Sequence, residues 1–301
     1  MTRVGIPVTR RMATLLAVTA LAGCVEPDQR RTPVQVHLAD PATAAPLTGR
    51  DFILNGAGRQ GGLMRGTVPA GTRVLEFDGA PVPVDQDGRF LVAFDRDAPA
   101  VATLRAVLDD GSILERRLAV LPGKWRIEHV DASPTGGISS AQFRARRPGE
   151  LARIAAARTV NSPSHGWRQH FIWPAAGRIS GVFGSQRIYR NTPGSYHTGV
   201  DIAARAGTPF VAPAGGVVVL AADQPFTLEG YLLILDHGMG LNSAFLHCAG
   251  LAVKEGDVVR AGQVLGTIGA SGRATGPHLH WGVTWRGSRL DPALLTDTEA
   301  S

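Results

Sequence analysis

Short apolar stretches alternate with turn residues along most of this chain, and they restrict it to a β-rich fold. From Asp51 to about Val130 apolar and polar residues alternate, and three Asp-Gly pairs interrupt the alternation, at 78–79, 87–88 and 110–111. Alternation of period two indicates half-buried strands, and Asp-Gly is a strong signal for a tight hairpin. Turn signals at intervals of about ten residues are typical of a small β-sandwich. We therefore predict a β-sandwich-like domain over 51–130.

Short apolar stretches alternate with turn residues again from Phe171 to about Leu295. Runs such as PFVAPAGGVVVLAAD and YLLILDHG lie between Gly-rich turns, with no long amphipathic helix and no heptad repeat. A chain of 301 residues is long enough for two ordinary domains. We predict an all-β, mainly antiparallel chain, whose second β-sheet domain covers 171–295.

The best helix signal lies in the join between the two β-rich segments, 131–170. PGELARIAAAR, from Pro148 to Arg158, has a Pro-Gly start, an acidic residue in its first turn and then Ala and Leu. We expect a short helix in a linker that leans on one of the two domains.

The N-terminus resembles a lipoprotein signal peptide. Arg10 and Arg11 precede MATLLAVTALAG, an apolar run too short to span a bilayer comfortably as a permanent helix, and the run ends in LAGC. This pattern predicts a signal peptide over 1–23 and a lipid anchor to the membrane at Cys24. The following segment, 24–50, is rich in Pro, Ala, Thr and Arg and is predicted to be a flexible tether.

The signal predicts a periplasm-facing lipoprotein of the cell envelope. Val25 follows the cysteine, which resembles proteins sorted to the outer membrane of Gram-negative bacteria. An ordinary secretory signal with a chance cysteine is the alternative. Because Cys24 would carry lipid, the second cysteine, Cys248, has no partner and a structural disulfide is not expected.

The formal net charge of +6 does not indicate a nucleic-acid-binding protein. Arg3, Arg10 and Arg11 lie within the predicted signal peptide, and the other arginines are scattered rather than arranged in a stripe. We therefore expect no nucleic-acid partner.

Histidines in three motifs of the second half are the candidate functional groups. In SYHTGVDIAA, His197 and Asp201 lie four positions apart and can share one face of an extended chain. In SAFLHC, His247 ends a strand-like run, with Phe245 expected on its face and Leu246 and Cys248 on the other. In ATGPHLHWGV, His278 and His280 also share a face.

Together these motifs supply the groups that a catalytic zinc site requires. Such a site needs three protein ligands with one open position, a general base and a group that stabilises a developing oxyanion. His197, Asp201, His247, His278 and His280 provide this set. The chemistry alone leaves open whether His278 or His280 binds the metal.

The order of the motifs resembles the LytM/lysostaphin-type zinc metallopeptidases, which cut peptide bonds in bacterial peptidoglycan. HTGVD, FLHC and SGRATGPHLHWGV carry the resemblance, and ISGVFGSQR and VKEGDVVRAGQVLGTIGASG fit the same family, over roughly 172–292. The resemblance implies a β-sheet domain with a long groove and one Zn²⁺ per chain at its floor.

The resemblance also implies a role for each candidate residue. His197, Asp201 and His280 fall on the family's zinc ligands. His247 and His278 fall on its two metal-free catalytic histidines, which assist deprotonation of the zinc water and stabilise the tetrahedral intermediate. The sequence departs from the family where Phe245 replaces the usual tyrosine and Cys248 the usual leucine. We expect Cys248 to lie in the core; a stray zinc ligand is the alternative.

The resemblance predicts a zinc endopeptidase that cuts stem peptides or cross-links of peptidoglycan in cell-wall remodelling. Two alternatives stay open: a catalytically silent relative that activates cell-wall amidases, and a cell-wall binding lipoprotein whose β-sandwich is the binding module. Because a cell-wall hydrolase needs control, we also form the hypothesis that the sandwich partly covers the groove and restrains activity until it is displaced. A chain starting near Phe171 would then be more active.

Overall fold

The computed structural model describes residues 49–131 and 140–296. The predicted signal peptide, the predicted lipid site Cys24 and nearly all of the predicted tether lie outside the described residues. The described residues form strands, one α-helix and two short 3₁₀ turns, so the predicted all-β class is confirmed. Among them, no helix combines the length and the hydropathy that crossing a bilayer would require.

The N-terminal segment contains nine strands. They are β1 Ile53–Asn55, β2 Gly58–Arg59, β3 Leu63–Thr67, β4 Thr72–Phe77, β5 Ala80–Val82, β6 Arg89–Ala93, β7 Val101–Leu108, β8 Ile113–Leu121 and β9 Ile127–Val130. Strands β1, β3 and β6 form one sheet, and β2, β8, β7, β4 and β5 form a second, in those orders. Both sheets contribute fully buried side chains to one core, such as Phe90 and Leu104.

Two of the three Asp-Gly pairs join paired strands, as their sequence signal predicts. Asp78 and Gly79 link β4 to β5 with φ of 48° and 79°, and Gly111 links β7 to β8 with φ of 82°. These left-handed conformations suit Gly, and Asp or Asn more than most other residues. The third pair, 87–88, forms a turn immediately before β6, where Gly88 has φ of 77°.

The helix α1 spans Ala141–Thr159 and therefore begins earlier than the predicted start at Pro148. The Ser140 hydroxyl accepts a hydrogen bond from the Phe143 N–H at 3.1 Å and caps the first turn. Pro148 lies inside the helix and costs it one backbone hydrogen bond. The sequence signal was misleading because a proline at a first helical position and a tolerated internal proline look alike.

The C-terminal segment contains twelve strands and two 3₁₀ turns, at Gly166–Arg168 and Pro292–Leu295. The strands are β10 Arg178–Gly181, β11 Gln186–Tyr189, β12 Thr192–Pro193, β13 Val200–Ala203, β14 Pro209–Val211, β15 Gly216–Ala221, β16 Tyr231–Asp236, β17 Leu241–Leu251, β18 Val258–Val259, β19 Val264–Ile268, β20 His278–Trp285 and β21 Ser288–Leu290. Ten of them form one sheet with the central order β10-β13-β20-β17-β16-β15-β18. The pairs within this sheet are antiparallel.

The large sheet has a mainly apolar face that packs in the main core and a face that carries His278 and His280. Leu279 and Trp281 of β20 belong to the main core, so His278 and His280, which alternate with them, point to the opposite face. Ile154 and Ala157 of α1 pack in a separate cluster with residues that line this opposite face: Leu220, Leu232, Ile234 and Ala244. The linker helix thus covers part of the same face that carries the two histidines.

The N-terminal segment and the large sheet are joined by further contacts. Strand β9 pairs in parallel with β11, which pairs with β12, so the two segments share a small sheet. The Phe77 and Trp285 rings meet edge to face with centroids 6.2 Å apart. The two predicted domains therefore meet through a shared sheet and a common core rather than through the linker alone.

Candidate metal centre

Three side chains converge where β13 and β20 lie side by side. Asp201 of β13 is the cross-strand partner of His280 of β20, and His197 lies just before β13. Oδ1 of Asp201 is 3.1 Å from Nε2 of His197 and 2.9 Å from Nδ1 of His280. The two imidazole nitrogens are 3.1 Å apart. Within the described part of the chain, this is the one group of three or more acidic, Cys or His side chains whose possible ligand atoms converge, all within 4.8 Å.

Glycines create the space in which the three side chains meet. A Cβ on Gly199 would lie 2.3 Å from the Trp281 carbonyl oxygen and 2.8 Å from Nε2 of His280. A Cβ on Gly181 would lie 2.3 Å from Oδ2 of Asp201. Nδ1 of His197 lies 3.1 Å from the Val182 carbonyl, an outer contact of the kind that orients metal-binding imidazoles. Two imidazoles and a carboxylate in this arrangement fit a zinc ion.

The protonation states also suit a metal. Burial alone would raise the pKa of Asp201, but hydrogen bonds and charge from His197 and His280 outweigh it and hold that pKa well below its usual range. Burial lowers the pKa of His280. For His197, burial acts in the same direction, but Asp201 outweighs it and raises the pKa. A metal would therefore find an ionised carboxylate at Asp201.

The other two candidate histidines lie beside this centre. The His247 and His278 rings are 4.8 Å apart between centroids, and His247 is 6.4 Å from His280. Nδ1 of His247 is 2.8 Å from the Ser271 carbonyl, and Nδ1 of His278 is 2.8 Å from the Gly276 carbonyl. A carbonyl only accepts hydrogen bonds, so each Nδ1 carries the proton and each neutral ring keeps a basic Nε2. Nε2 of His278 is 3.8 Å from Asp201.

His247 lies beside the metal centre because β17 is irregular at this residue. The strict alternation of faces expected from the sequence therefore fails here. The φ of His247 is 64°, and the pairing of β17 is irregular on both sides of it. Simple alternation would place His247 with Phe245 on the core face. The left-handed residue instead turns the ring to the face of Leu246, whose partner on β20 is His280.

The same irregularity of β17 moves Cys248. It joins the core cluster of Phe245 rather than that of Leu246, so the expectation that Leu246 and Cys248 share a face is wrong. The expectation that Cys248 is a core residue is confirmed, since it is fully buried. Burial raises the pKa of the thiol to about 12, and the thiol does not belong to the converging group. A structural histidine, His237, is buried elsewhere, between Gly215 and Ser243.

Several residues that support the site carry no sequence signal of their own. The carbonyl oxygens of Ser271 and Gly276 orient the two imidazoles, and backbone atoms can come from any residue type. The Gly-rich run before His278 indicated only a turn.

Residues 195–292 match the family model for peptidase family M23. This segment contains His197, Asp201, His247, His278 and His280. The C-terminal part of the chain is therefore a peptidase M23 domain of the LytM type.

The chain is also similar to curated bacterial proteins. It is 37% identical over 111 residues to the peptidoglycan DD-endopeptidase ShyA of Vibrio cholerae, covering 36% of this chain and 25% of that protein. It is 36% identical to the DD-carboxypeptidase/endopeptidase Mpg of Neisseria meningitidis, covering 39% and 27%. The chain thus spans about a quarter of the length of each of these two relatives. A lipoprotein NlpD/LppB homolog of Pseudomonas aeruginosa is 36% identical, covering 42% of this chain and 38% of that protein.

Among solved structures, a crystal structure from Pseudomonas aeruginosa assigned to peptidase M23 resembles the chain, with a TM-score of 0.60 and 29% identity. The superposition covers 80% of this chain and 95% of that one. That coverage is larger than the matched M23 segment, so the likeness in fold extends beyond it.

Proposed function

We propose that this protein is a zinc-dependent endopeptidase that hydrolyses peptide bonds in the stem peptides or cross-links of peptidoglycan, in remodelling of the cell wall. The observation that carries the proposal is the convergence of His197, Asp201 and His280 beside the His247 and His278 imidazoles. The relative ShyA, named as a peptidoglycan DD-endopeptidase, supports the substrate class.

In the proposed reaction, the chain supplies three metal ligands and two groups that handle protons. A zinc ion held by His197, Asp201 and His280 would polarise the scissile carbonyl and make a water molecule more acidic. His247 and His278 have basic Nε2 atoms and rings fixed by carbonyl contacts. One accepts the proton of the attacking water at Nε2 and returns it to the leaving amine. The other, once its Nε2 has taken up a proton from the solvent, donates that proton in a hydrogen bond to the developing oxyanion.

The electrostatics of His247 favour the role of proton acceptor. Burial lowers its pKa, and the nearby imidazoles act in the same direction. The ring is therefore neutral at neutral pH and ready to take a proton.

Two substitutions separate metal binding from proton transfer. His280→Ala is expected to lose both bound zinc and the digestion of purified peptidoglycan. His278→Ala is expected to lose digestion but to keep the zinc. Zinc content by elemental analysis and fragment release by mass spectrometry measure the two effects. A His280→Ala protein that still digests peptidoglycan would overturn the assignment, and the fragment masses identify which bond is cut.

A second candidate function is activation of a cell-wall amidase without peptide hydrolysis. The similarity to an NlpD/LppB lipoprotein homolog favours it. The full set of candidate ligands favours the enzyme instead. A protein that holds no zinc and cuts no peptide bond, but increases the release of stem peptides by an added amidase, would show that the second function is correct.

For the location, we propose a lipoprotein anchored through Cys24 and facing the periplasm, at the outer membrane. The LAGC pattern and the lipoprotein relative support this. Cys24→Ser should move the protein from the outer-membrane fraction into soluble fractions and abolish incorporation of labelled palmitate. Unchanged membrane association would contradict the proposed anchor.

A further inference from the structure

The linker helix α1 is held by hydrogen bonds to one loop beside the metal centre. The Arg147 guanidinium donates two hydrogen bonds to the Glu229 carboxylate, at 2.6 and 2.8 Å. The Glu150 carboxylate accepts two from Thr227, one from its backbone N–H at 2.9 Å and one from its hydroxyl at 2.6 Å. Fork-shaped contacts of this kind fix direction as well as distance. We call these four residues the helix–loop clamp.

The clamp is shielded from water. Glu150 is 7% exposed, and the side chains of Arg147 and Glu229 are 17% and 14% exposed. Ion pairs on an open surface contribute little, whereas removing one partner of a shielded pair leaves a charge without compensation. The hydrogen bonds from Thr227 and Arg147 outweigh burial and lower the pKa of Glu150, so the carboxylate is ionised at neutral pH.

The loop held by the clamp also holds His247. The backbone N–H of His247 donates to the Glu229 carbonyl at 2.8 Å. The loop is closed by two backbone hydrogen bonds between Phe226 and Gly230, at 2.8 and 3.0 Å. Glu229 therefore connects the two: Arg147 binds its carboxylate, and its carbonyl binds the amide of His247.

His247 needs such support because of its backbone. A φ of 64° is unfavourable for a residue other than Gly and persists where surrounding contacts determine it. One contact fixes the ring, from Nδ1 to the Ser271 carbonyl, and the Glu229 contact fixes the backbone. Without the second contact, the ring and its Nε2 would be free to shift.

We propose that Arg147 and Glu150 are positioning residues that set the place of the His247 imidazole, so that the linker helix is a working part of the active site. This inference rests on the proposed peptidase function. The metal ligands lie on or next to β13 and β20, outside the clamped loop. Loosening the clamp should therefore slow the chemical step and leave the metal bound.

The test compares Arg147→Ala and Arg147→Lys in the full-length protein with Arg105→Ala. Arg105 also pairs with a glutamate, Glu76, through one contact of 2.9 Å in the N-terminal segment. Arg147→Ala is expected to lower kcat on purified peptidoglycan by roughly tenfold or more, because small displacements of catalytic groups are costly. KM and zinc content should stay close to native, Arg147→Lys should lie in between, and Arg105→Ala should match the native protein.

Hydrogen exchange supplies a readout that does not depend on activity. In Arg147→Ala, the His247 amide should exchange faster, while the amides of β16 and β20 keep native rates. Native kcat together with native exchange at His247 would overturn the proposal. So would a loss of zinc, or faster exchange throughout β16 and β17, since either indicates a general structural role. If the native zinc-loaded protein cuts no peptidoglycan, the proposed function fails, whereas the exchange comparison still decides the clamp.

Discussion

At the scale of single residues, Gly199 shows how little room the metal centre leaves. An added Cβ would lie 2.3 Å from the Trp281 carbonyl, which is rigid backbone. Gly199→Ala should therefore push β13 away from β20 and separate Asp201 from His280. We expect zinc affinity to fall by about tenfold or more, the effect typical of disturbed ligand geometry.

Competition with a chelator measures the zinc affinity of Gly199→Ala. Gly250→Ala is the control, since its Cβ would meet only Thr267 Oγ1 at 3.9 Å; equal affinities would contradict the prediction.

His237 should make the stability of the fold depend on pH. Burial lowers its pKa from 6.5 to about 4 in the folded chain. Between these values the unfolded chain binds the extra proton and the folded chain does not, so the free energy of unfolding falls as pH decreases. Urea unfolding from about pH 7 to about pH 4.5 should show this decrease, with a smaller slope in His237→Gln. Equal slopes in both proteins would show that His237 is not the cause.

At the scale of elements, the stability of α1 can be raised by replacing Gly149 with alanine. It lies inside the helix, a Cβ there would meet nothing within 4 Å, and its φ is not left-handed. Gly149→Ala should raise the free energy of unfolding by about 0.5–1 kcal/mol, since alanine restricts the unfolded chain. Chemical denaturation measures the change. A destabilised variant would mean that the helix is held in a conformation that alanine does not favour.

The strands were predictable because their signal is periodic and local. Alternation and Asp-Gly pairs located the hairpins of β4–β5 and β7–β8, and the spacing of His278 and His280 placed both on one strand face. The left-handed φ of His247 has no periodic signature, so the expectation that Phe245 shares a face with His247, and Leu246 with Cys248, is wrong. The motif resemblance selected His247 as a candidate without any sign of this break in the alternation. The start of α1 was missed because the cap at Ser140 lies well before the apolar pattern.

At the scale of the whole molecule, the sequence gives no sign of how the N-terminal segment meets the metal centre. Arg96, 6% exposed, donates to the Gly184 carbonyl at 3.0 Å. Its guanidinium also lies 4.6 Å from the centroid of the Tyr196 ring, next to His197. The Gly184 N–H in turn donates to the His197 carbonyl at 2.9 Å. Such contacts join residues far apart in the chain and have no periodic pattern from which to predict them.

These contacts lead to an expectation opposite to the hypothesis that the N-terminal segment only restrains activity. Because Arg96 binds Gly184, which in turn binds the His197 carbonyl, and also lies over the Tyr196 ring, Arg96→Ala in the full chain should weaken zinc binding and lower peptidoglycan digestion in parallel. Arg105→Ala, in the same segment but in a different ion pair, should change neither. A chain starting at Phe171 loses Arg96 and the linker helix together, so it should digest peptidoglycan more slowly than the full chain, even with excess zinc. Faster digestion by the shortened chain would show instead that restraint is the dominant effect of the N-terminal segment.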